Sequence, residues 1–559
     1  MNGDKEVLAA EEAARGECAA IRAMRILMTA LAVVATIVVV IMPIADVVAA
    51  RIFWSGIAPA GSLAANAILV LAFASAALAS LDKRHLSLSS PAAGGGGPVF
   101  EAIRSVLSRS GDVVAVTTQT CLFWASLSLM LLGFEPDARV WIIPLRAIAA
   151  IMPLCLAFMA AFTIRNAGTK AAPRLVAALG IVLGSLLASG AAGNFLEAAF
   201  GAAPSLVSAI AEASQAFVHA YSIPICLFLA VTIAFGAPIF TVIGGLAVVL
   251  FVGSGQYVEL VPREAYALLE GGSIAALPLF GIAGILLAES GAGSRFVALF
   301  RELFGWFRGG EAVAAVLVCA FFSTFTGVNG VTIIALGSIL AGILAEAGGM
   351  SESRARGLVT ASGDIGLLII PSAAIIVYGV NATFLYDDAS GFSLTALIKG
   401  ALVPGAFLIV SMCVAGVVFS PRRPKSERKF RAGPALAAFK DAGLELAVPL
   451  IAVVLFFTGQ AGLLEIAALC VLYIAIVESL VKRELDAKKL VAALGKAFPI
   501  VGGTLIVIAA ARGLSVYLID AEIPSLFASW MQSQVHSRFL FLLLVNVFLL
   551  LVGCLMDIF

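Results

Sequence analysis

The chain has 559 residues, of which 62% are hydrophobic and 12% charged, with a formal net charge of +1. This balance excludes an ordinary soluble globular protein: a spanning helix needs about 20 predominantly apolar residues, and roughly a dozen or more segments qualify. The charges fall in loops and form no nucleic-acid surface, so the expected fold is an all-α polytopic membrane protein embedded in a lipid bilayer.

The polar N-terminus leads into an apolar run that continues too far for the hydrophobic region of a signal peptide, so the first transmembrane helix is expected to direct insertion. Four candidate spans, 26–50, 63–81, 113–132 and 145–164, make up a first region of residues 1–170. Pro91-Ala-Ala-Gly-Gly-Gly-Gly-Pro98 reads as a non-helical connection between the second and third. Arg15, Arg22 and Arg25 precede the first span. Lys83, Arg84, Arg104 and Arg109 follow the second, and Arg165, Lys170 and Arg174 follow the fourth. Alternating spans place all three groups on one side, which the positive-inside rule assigns to the cytoplasm.

Residues 171–219 read as a linker. A span over 175–192 crosses outward, and a mixed segment over 194–217, with Glu197 and Glu212, lies along the outer interface. A second region, 220–559, starts near Ala220. One of its spans ends at Phe235-Gly-Ala-Pro238, and another returns through Phe251. Residues 295–308 put Phe296, Leu299, Phe300, Leu303, Phe304 and Phe307 at helical spacing, as an interfacial helix or arm or an ordinary connector. The most basic loop, Pro421-Arg-Arg-Pro-Lys-Ser-Glu-Arg-Lys-Phe-Arg431, is placed in the cytoplasm together with Lys482-Arg-Glu-Leu-Asp-Ala-Lys-Lys489.

Eight cysteines stand singly, mostly inside apolar runs, and read as small buried side chains rather than a metal site or disulfide framework. His85, His219 and His536 share no motif. With no cluster of His, Cys or acidic residues at one membrane face and no phosphate-binding loop, neither an enzyme nor an ATP-driven pump is expected.

Two clusters interrupt the apolar runs. Thr326-Gly-Val-Asn-Gly-Val-Thr332 has the composition of a re-entrant hairpin tip or an unwound helix. Its glycines can expose backbone carbonyls, and Thr326, Asn329 and Thr332 add side-chain oxygens of the kind that hold Na⁺. The other reading is a close helix contact built from small residues. Ser362-Gly-Asp-Ile-Gly366, ahead of Pro371-Ser372, forms the second break. An ionised Asp364 between apolar stretches is costly unless paired, hydrated or metal-bound, so it ligates a cation, carries a coupled proton, or pairs with Arg354 or Arg356. Arg356 either meets an anionic substrate through a bidentate contact or snorkels to the interface. Irregular backbone at membrane depth survives only around a cavity or inside protein, so the two breaks together point to transport of an ion or small solute.

Leu277-Pro-Leu-Phe-Gly-Ile-Ala-Gly284, with 324–336 and 357–379, resembles the large membrane subunit of the tripartite ATP-independent periplasmic (TRAP) transporters. The first four spans, with Arg51-Ile-Phe-Trp54 closing the first, resemble the small membrane subunit, as in a fusion of the two. The resemblance implies a four-helix small-subunit unit beside a large transport subunit with inverted repeats, re-entrant hairpins and broken helices. It implies Na⁺-driven, elevator-type uptake of a small organic acid (a carboxylate) across the bacterial inner membrane. A periplasmic solute-binding protein would deliver the substrate, and Na⁺ is the coupling ion, with no other cofactor. Gly327, Asn329, Gly330, Thr332, Ser362, Gly363 and Gly366 match the ion region, to which Asp364 is added. Pro371 and Ser372 are assigned to substrate together with Thr326 and Arg356.

Two departures stand out. The family commonly has two prolines where Ile370-Pro371 stands, and a small neutral or hydroxyl residue in place of Asp364, which opens proton coupling as an alternative. The final segment, Leu551-Val-Gly-Cys-Leu-Met-Asp-Ile-Phe559, resembles the start of the second repeat's hairpin, with Gly553 and Asp557 in its break, so a truncated sequence is expected. The alternatives are a self-sufficient Na⁺- or H⁺-coupled carboxylate carrier and a truncated, non-transporting membrane subunit.

Overall fold

The computed structural model describes residues 19–87, 98–271, 274–326, 329–346, 348–369, 372–383, 393–421 and 430–555. Among them, nine helices are long and apolar enough to cross a membrane, or up to eleven if each of two bent helix pairs counts as one span. Helices dominate because a backbone in lipid must satisfy its own hydrogen bonds. Among the described residues, the extended structure is one short antiparallel pair, Arg139–Val140 with Ile143–Pro144. The chain is an all-α polytopic membrane protein, as the composition requires. It divides into two compact units: Met1–Thr36, Asn66–Glu270 and Phe498–Phe559 form the first, and Ile37–Ala65 with Gly271–Ala497 the second.

In the first unit, each of the four expected spans lies in helix. These are α1 (Ala19–Phe53), α2 (Ala60–Leu81), α3 (Pro98–Leu132), and the pair α4 (Leu145–Ala149) and α5 (Ile151–Asn166). Two of them, α1 and α2, run on into residues of the second unit. α3 is the hub on which α5 and α6 (Ala171–Leu187) pack. The α3–α6 seam depends on glycine. A Cβ on Gly184 would lie 2.6 Å from the Thr117 carbonyl oxygen, and one on Gly180 2.7 Å from Val116 Cβ. Cys121 Sγ donates to the Gly184 carbonyl at 3.2 Å across the same seam. Arg146 closes the end of α3 by donating to the carbonyls of Leu131 and Phe134.

α6 bends by 67° into α7 (Ser189–Phe200), which ends at Gly201 with a positive φ of 78°. α8 (Ser205–Ile233) spans the expected start of the second region near Ala220 and is kinked there. Tyr221 (φ −116°, ψ 19°) leaves the helical region three residues before Pro224, whose ring clashes with the preceding turn. The expected interfacial segment 194–217 is thus divided between α7 and α8. α9 (Ile239–Gly253) is the return through Phe251, and α10 (Leu260–Glu270) follows.

The second unit is built around broken helices. α11 (Ala276–Glu289) and α12 (Ala292–Phe304) meet at a 75° bend. Around α13 (Gly310–Thr326) pack α11, α12, α14 (Asn329–Glu346), α15 (Glu352–Gly363) and α17 (Leu394–Phe419). α16 (Ala373–Thr383) lies between α15 and α17 in sequence. α18 (Ala432–Thr458) packs on α12, and α19 (Leu463–Ile476) packs on α11 before it passes into a π-turn, Val477–Val481. The helical face predicted over 295–308 is present in α12, with Phe296 and Leu299 buried and Phe300, Leu303 and Phe304 half-buried. Phe296 is fully buried, its ring 4.4 Å from Phe321 and 5.6 Å from Phe322. The basic loop lies outside the described residues over 422–429. α20 (Ala487–Asp520) begins in this unit and continues in the first, followed by α21 (Ile523–Gln534) and α22 (Arg538–Leu555).

Candidate functional site

Both predicted breaks are present in the second unit. α13 ends at Thr326 and α14 begins at Asn329, so the first break falls between two helices that pack on one another. The second is a helix that changes character in three steps. α15 stops at Gly363, a 3₁₀ turn runs over Ile365–Leu368, and Ile369 is extended (φ −110°, ψ 139°) before α16 resumes at Ala373. Glycine explains part of this locally, since it weakens a helix at Gly363 and Gly366.

The second break meets α13 at Gly366. Its N–H donates to Ser323 Oγ at 3.0 Å, and that hydroxyl lies within hydrogen-bond distance of the Ala320 carbonyl. A Cβ on Gly366 would overlap Ser323 Oγ and the Thr324 backbone nitrogen, so no larger residue lets the 3₁₀ turn approach α13 this closely. Thr324 Oγ1 bonds back to the Ala320 carbonyl at 2.7 Å. Ser323, Thr324, Thr332 and Ser362 are all buried hydroxyl residues. Ser362 Oγ has no hydrogen-bond partner among the described residues, although the side chain is fully buried. A buried hydroxyl left without a partner beside a helix break is one oxygen of the kind that ligates a hard cation.

The other predicted residues fall as follows. Gly363 is buried at the end of α15. Asp364 is exposed at the C-cap of α15, with its N–H bonded to the Ser362 carbonyl. Ser372 is buried and engaged with backbone: its Oγ donates to the Leu367 carbonyl and accepts from the Ile375 N–H at 3.3 Å. That side chain caps the resumed helix. Arg356 is exposed, paired with Glu352 one turn away, and lines a cavity of about 710 Å³ with Thr360, Ser338, Gly342 and Glu346. The structure therefore separates Arg356 and Thr360 on the cavity wall from Ser323, Ser362 and Gly366 where the second break docks on α13. Thr326, Asn329 and Gly330 lie at the helix ends flanking the first break, their side-chain positions outside the description, as are Gly327, Pro371 and Asp557 altogether. Gly553 sits near the end of α22 with open space around it. Ser323 was not singled out from sequence. Its signal was the hydroxyl pair Ser323-Thr324 just ahead of the first break, which looks like ordinary helix until Gly366 docks on it.

Residues 226–559 match the family described as the tripartite ATP-independent periplasmic transporter, DctM component. The chain belongs to this family. Over 454 residues it is 25% identical to the isethionate TRAP transporter permease protein DctMQ of Oleidesulfovibrio alaskensis, covering 80% of this chain and 66% of that one. It is 28% identical over 316 residues to the C4-dicarboxylate TRAP transporter large permease protein DctM of Pseudomonas aeruginosa, covering 56% of this chain and 71% of the relative. The ectoine TRAP transporter large permease protein TeaC of Halomonas elongata is 28% identical over 276 residues, covering 49% and 62%. The chain thus spans about two thirds of the length of these relatives. All three are named as transport permeases and none as an enzyme. The length of the first match is consistent with a TRAP permease in which small- and large-subunit sequences are joined.

Proposed function

We propose that the chain is the membrane component of a TRAP-type secondary transporter that takes up a small organic acid across a bacterial inner membrane. The observation that carries this reading is the docking of the second break on α13 at Gly366 and Ser323, beside the orphaned Ser362 hydroxyl, in a chain that belongs to the TRAP family. The breaks supply oxygens for Na⁺, and the Arg356 guanidinium on the nearby helix face supplies a partner for a carboxylate. The relatives are named for C4-dicarboxylate, isethionate and ectoine, and all three solutes carry a carboxylate or sulfonate. Substrate delivery by a periplasmic solute-binding protein, Na⁺ coupling, elevator movement and a cytoplasmic N-terminus are parts of this proposal.

The test is uptake of labelled organic acids into proteoliposomes, with and without an inward Na⁺ gradient and a cognate binding protein. Uptake that needs both supports the proposal. Uptake that needs neither the binding protein nor Na⁺ points to a self-sufficient carrier, and uptake driven by a proton gradient alone removes Na⁺ from the scheme.

A further inference from the structure

Four helices of the first unit, α3, α6, α8 and α9, line a cavity of about 940 Å³. α6 lies close on α3 along the glycine seam, whereas α8 packs chiefly on α9 and is kinked at Tyr221, between the lining residues Phe217 and Ile225. On α3 the lining residues follow one helical face from Val106 through Arg109, Val113 and Thr117 to Cys121. That face is roughly 22 Å long at about 1.5 Å per residue. Leu183 of α6 and Phe217 and Phe228 of α8 line the cavity and are also exposed, so in a membrane it opens to lipid.

The walls are apolar except at one point. Ser110, Thr117, Thr118, Cys121 and Ser214 line the cavity, but each commits its hydrogen to a backbone carbonyl. Arg109 lines the same space, is exposed, and has no hydrogen-bond or ion-pair partner among the described residues. Asp112, the next acid along α3, does not line the cavity.

This chemistry selects the occupant. An ordered water needs about two to four polar partners, which these walls do not offer. A helix about 10 Å across would fill roughly 1,700 Å³ over the same length, so the cavity is too small to seat one. A hydrocarbon chain is thin enough, matches the walls and restores the dispersion contacts that an empty space forfeits. The lone guanidinium then calls for an anion at one end, and its planar fork suits a phosphate. From Arg109 to Cys121 is about 18 Å of helix, against about 15 Å for half of a hydrocarbon core of about 30 Å. A chain whose head sits at Arg109 therefore runs the depth of one leaflet inside the cavity.

We propose that this cavity binds one phospholipid, its phosphate on Arg109 and an acyl chain laid along α3 between α6 and α8. The lipid completes the packing of the first unit where α8 stands away from α3.

The experiment is native mass spectrometry of the full chain, purified in detergent, stripped of lipid and titrated with phosphatidylglycerol. The matching diacylglycerol, which has the chains without the phosphate, is titrated in parallel. One phosphatidylglycerol is expected to bind more tightly than the diacylglycerol. Arg109→Gln weakens phosphatidylglycerol binding roughly fivefold, the loss expected when one Lys or Arg near the membrane surface no longer meets an anionic lipid, and leaves diacylglycerol unchanged. Leu183→Trp fills the cavity and removes both, and the exposed Lys488→Gln alters neither. In the native chain, phosphatidylglycerol with a photoreactive acyl chain labels residues 113–121 or 176–187, a readout that needs no variant to fold. Equal affinity for the two lipids, no effect of Arg109→Gln, or labelling confined to other helices overturns the proposal. A dimer that dissociates in Leu183→Trp also overturns it, since the occupant is then a second copy. None of these readouts depends on transport.

Discussion

At the level of single residues, Gly366 and Ser362 make opposite predictions. Gly366→Ala forces a methyl group into the Ser323–Thr324 backbone, an overpacking that costs about 1–3 kcal/mol and so reduces occupancy of the native geometry about five- to 150-fold. The expected result is a lower unfolding temperature together with loss of uptake. Ser362→Ala removes a buried hydroxyl with no partner, so stability is expected to hold or rise while the Na⁺ concentration needed for half-maximal uptake increases. If Ser362→Ala instead lowers stability and leaves the Na⁺ response alone, the hydroxyl is structural.

His85 gives a prediction in pH. Its Nε2 lies 2.6 Å from Ser80 Oγ and its ring packs on Phe240, and burial lowers it from 6.5 to about 3. The folded protein thus keeps His85 neutral while the unfolded chain binds a proton. Its contribution to stability is complete above 6.5 and is lost as the pH falls toward 3. His85→Gln is expected to flatten that acid limb of the unfolding temperature. A variant with an unchanged acid limb would show that other groups govern it.

At the level of elements, the long apolar helices and both breaks were legible, because hydropathy and Gly-Pro punctuation act locally. The kink at Tyr221 was not. The change in pattern near Ala220 reads as the start of a second region, whereas the structure has a kinked helix whose non-helical residue is Tyr221. The fate of the phenylalanine face of α12 was equally hidden. Helical spacing shows that Phe296 and Leu299 share a side, while only the packing of α13 decides that the side meets protein. Ser323 was invisible for the same reason, since its role depends on a glycine 43 residues away. The α3–α6 seam makes a further prediction: Gly184→Val drives a side chain into the Thr117 carbonyl and lowers stability by about 1–3 kcal/mol, seen as earlier thermal unfolding.

For the whole molecule, the distribution of Lys and Arg predicts a topology. Single cysteines placed at Arg84 and at Arg483 are expected to be labelled from the cytoplasmic side, and one placed at Gly201 from the opposite side. Labelling of 84 and 483 from opposite faces would overturn the orientation. The family assignment came from breaks and glycines that the sequence displays, whereas substrate identity is written in side-chain distances across a cavity. Arg356 shows the gap. Its charge suggested an anion partner, and the structure adds a carboxylate already on one of its nitrogens, Glu352 one turn away.

The glycine seam between α3 and α6 has a practical consequence. In lipid there is no hydrophobic drive to bring two helices together, so this contact rests on van der Waals fit between bare backbones and on the Cys121–Gly184 hydrogen bond across it. Salt and acid, which loosen ion pairs, have nothing to act on there. A short, mobile detergent tail competes for the same surface, so the choice of solubilising agent, more than the buffer, should decide whether the first unit survives extraction.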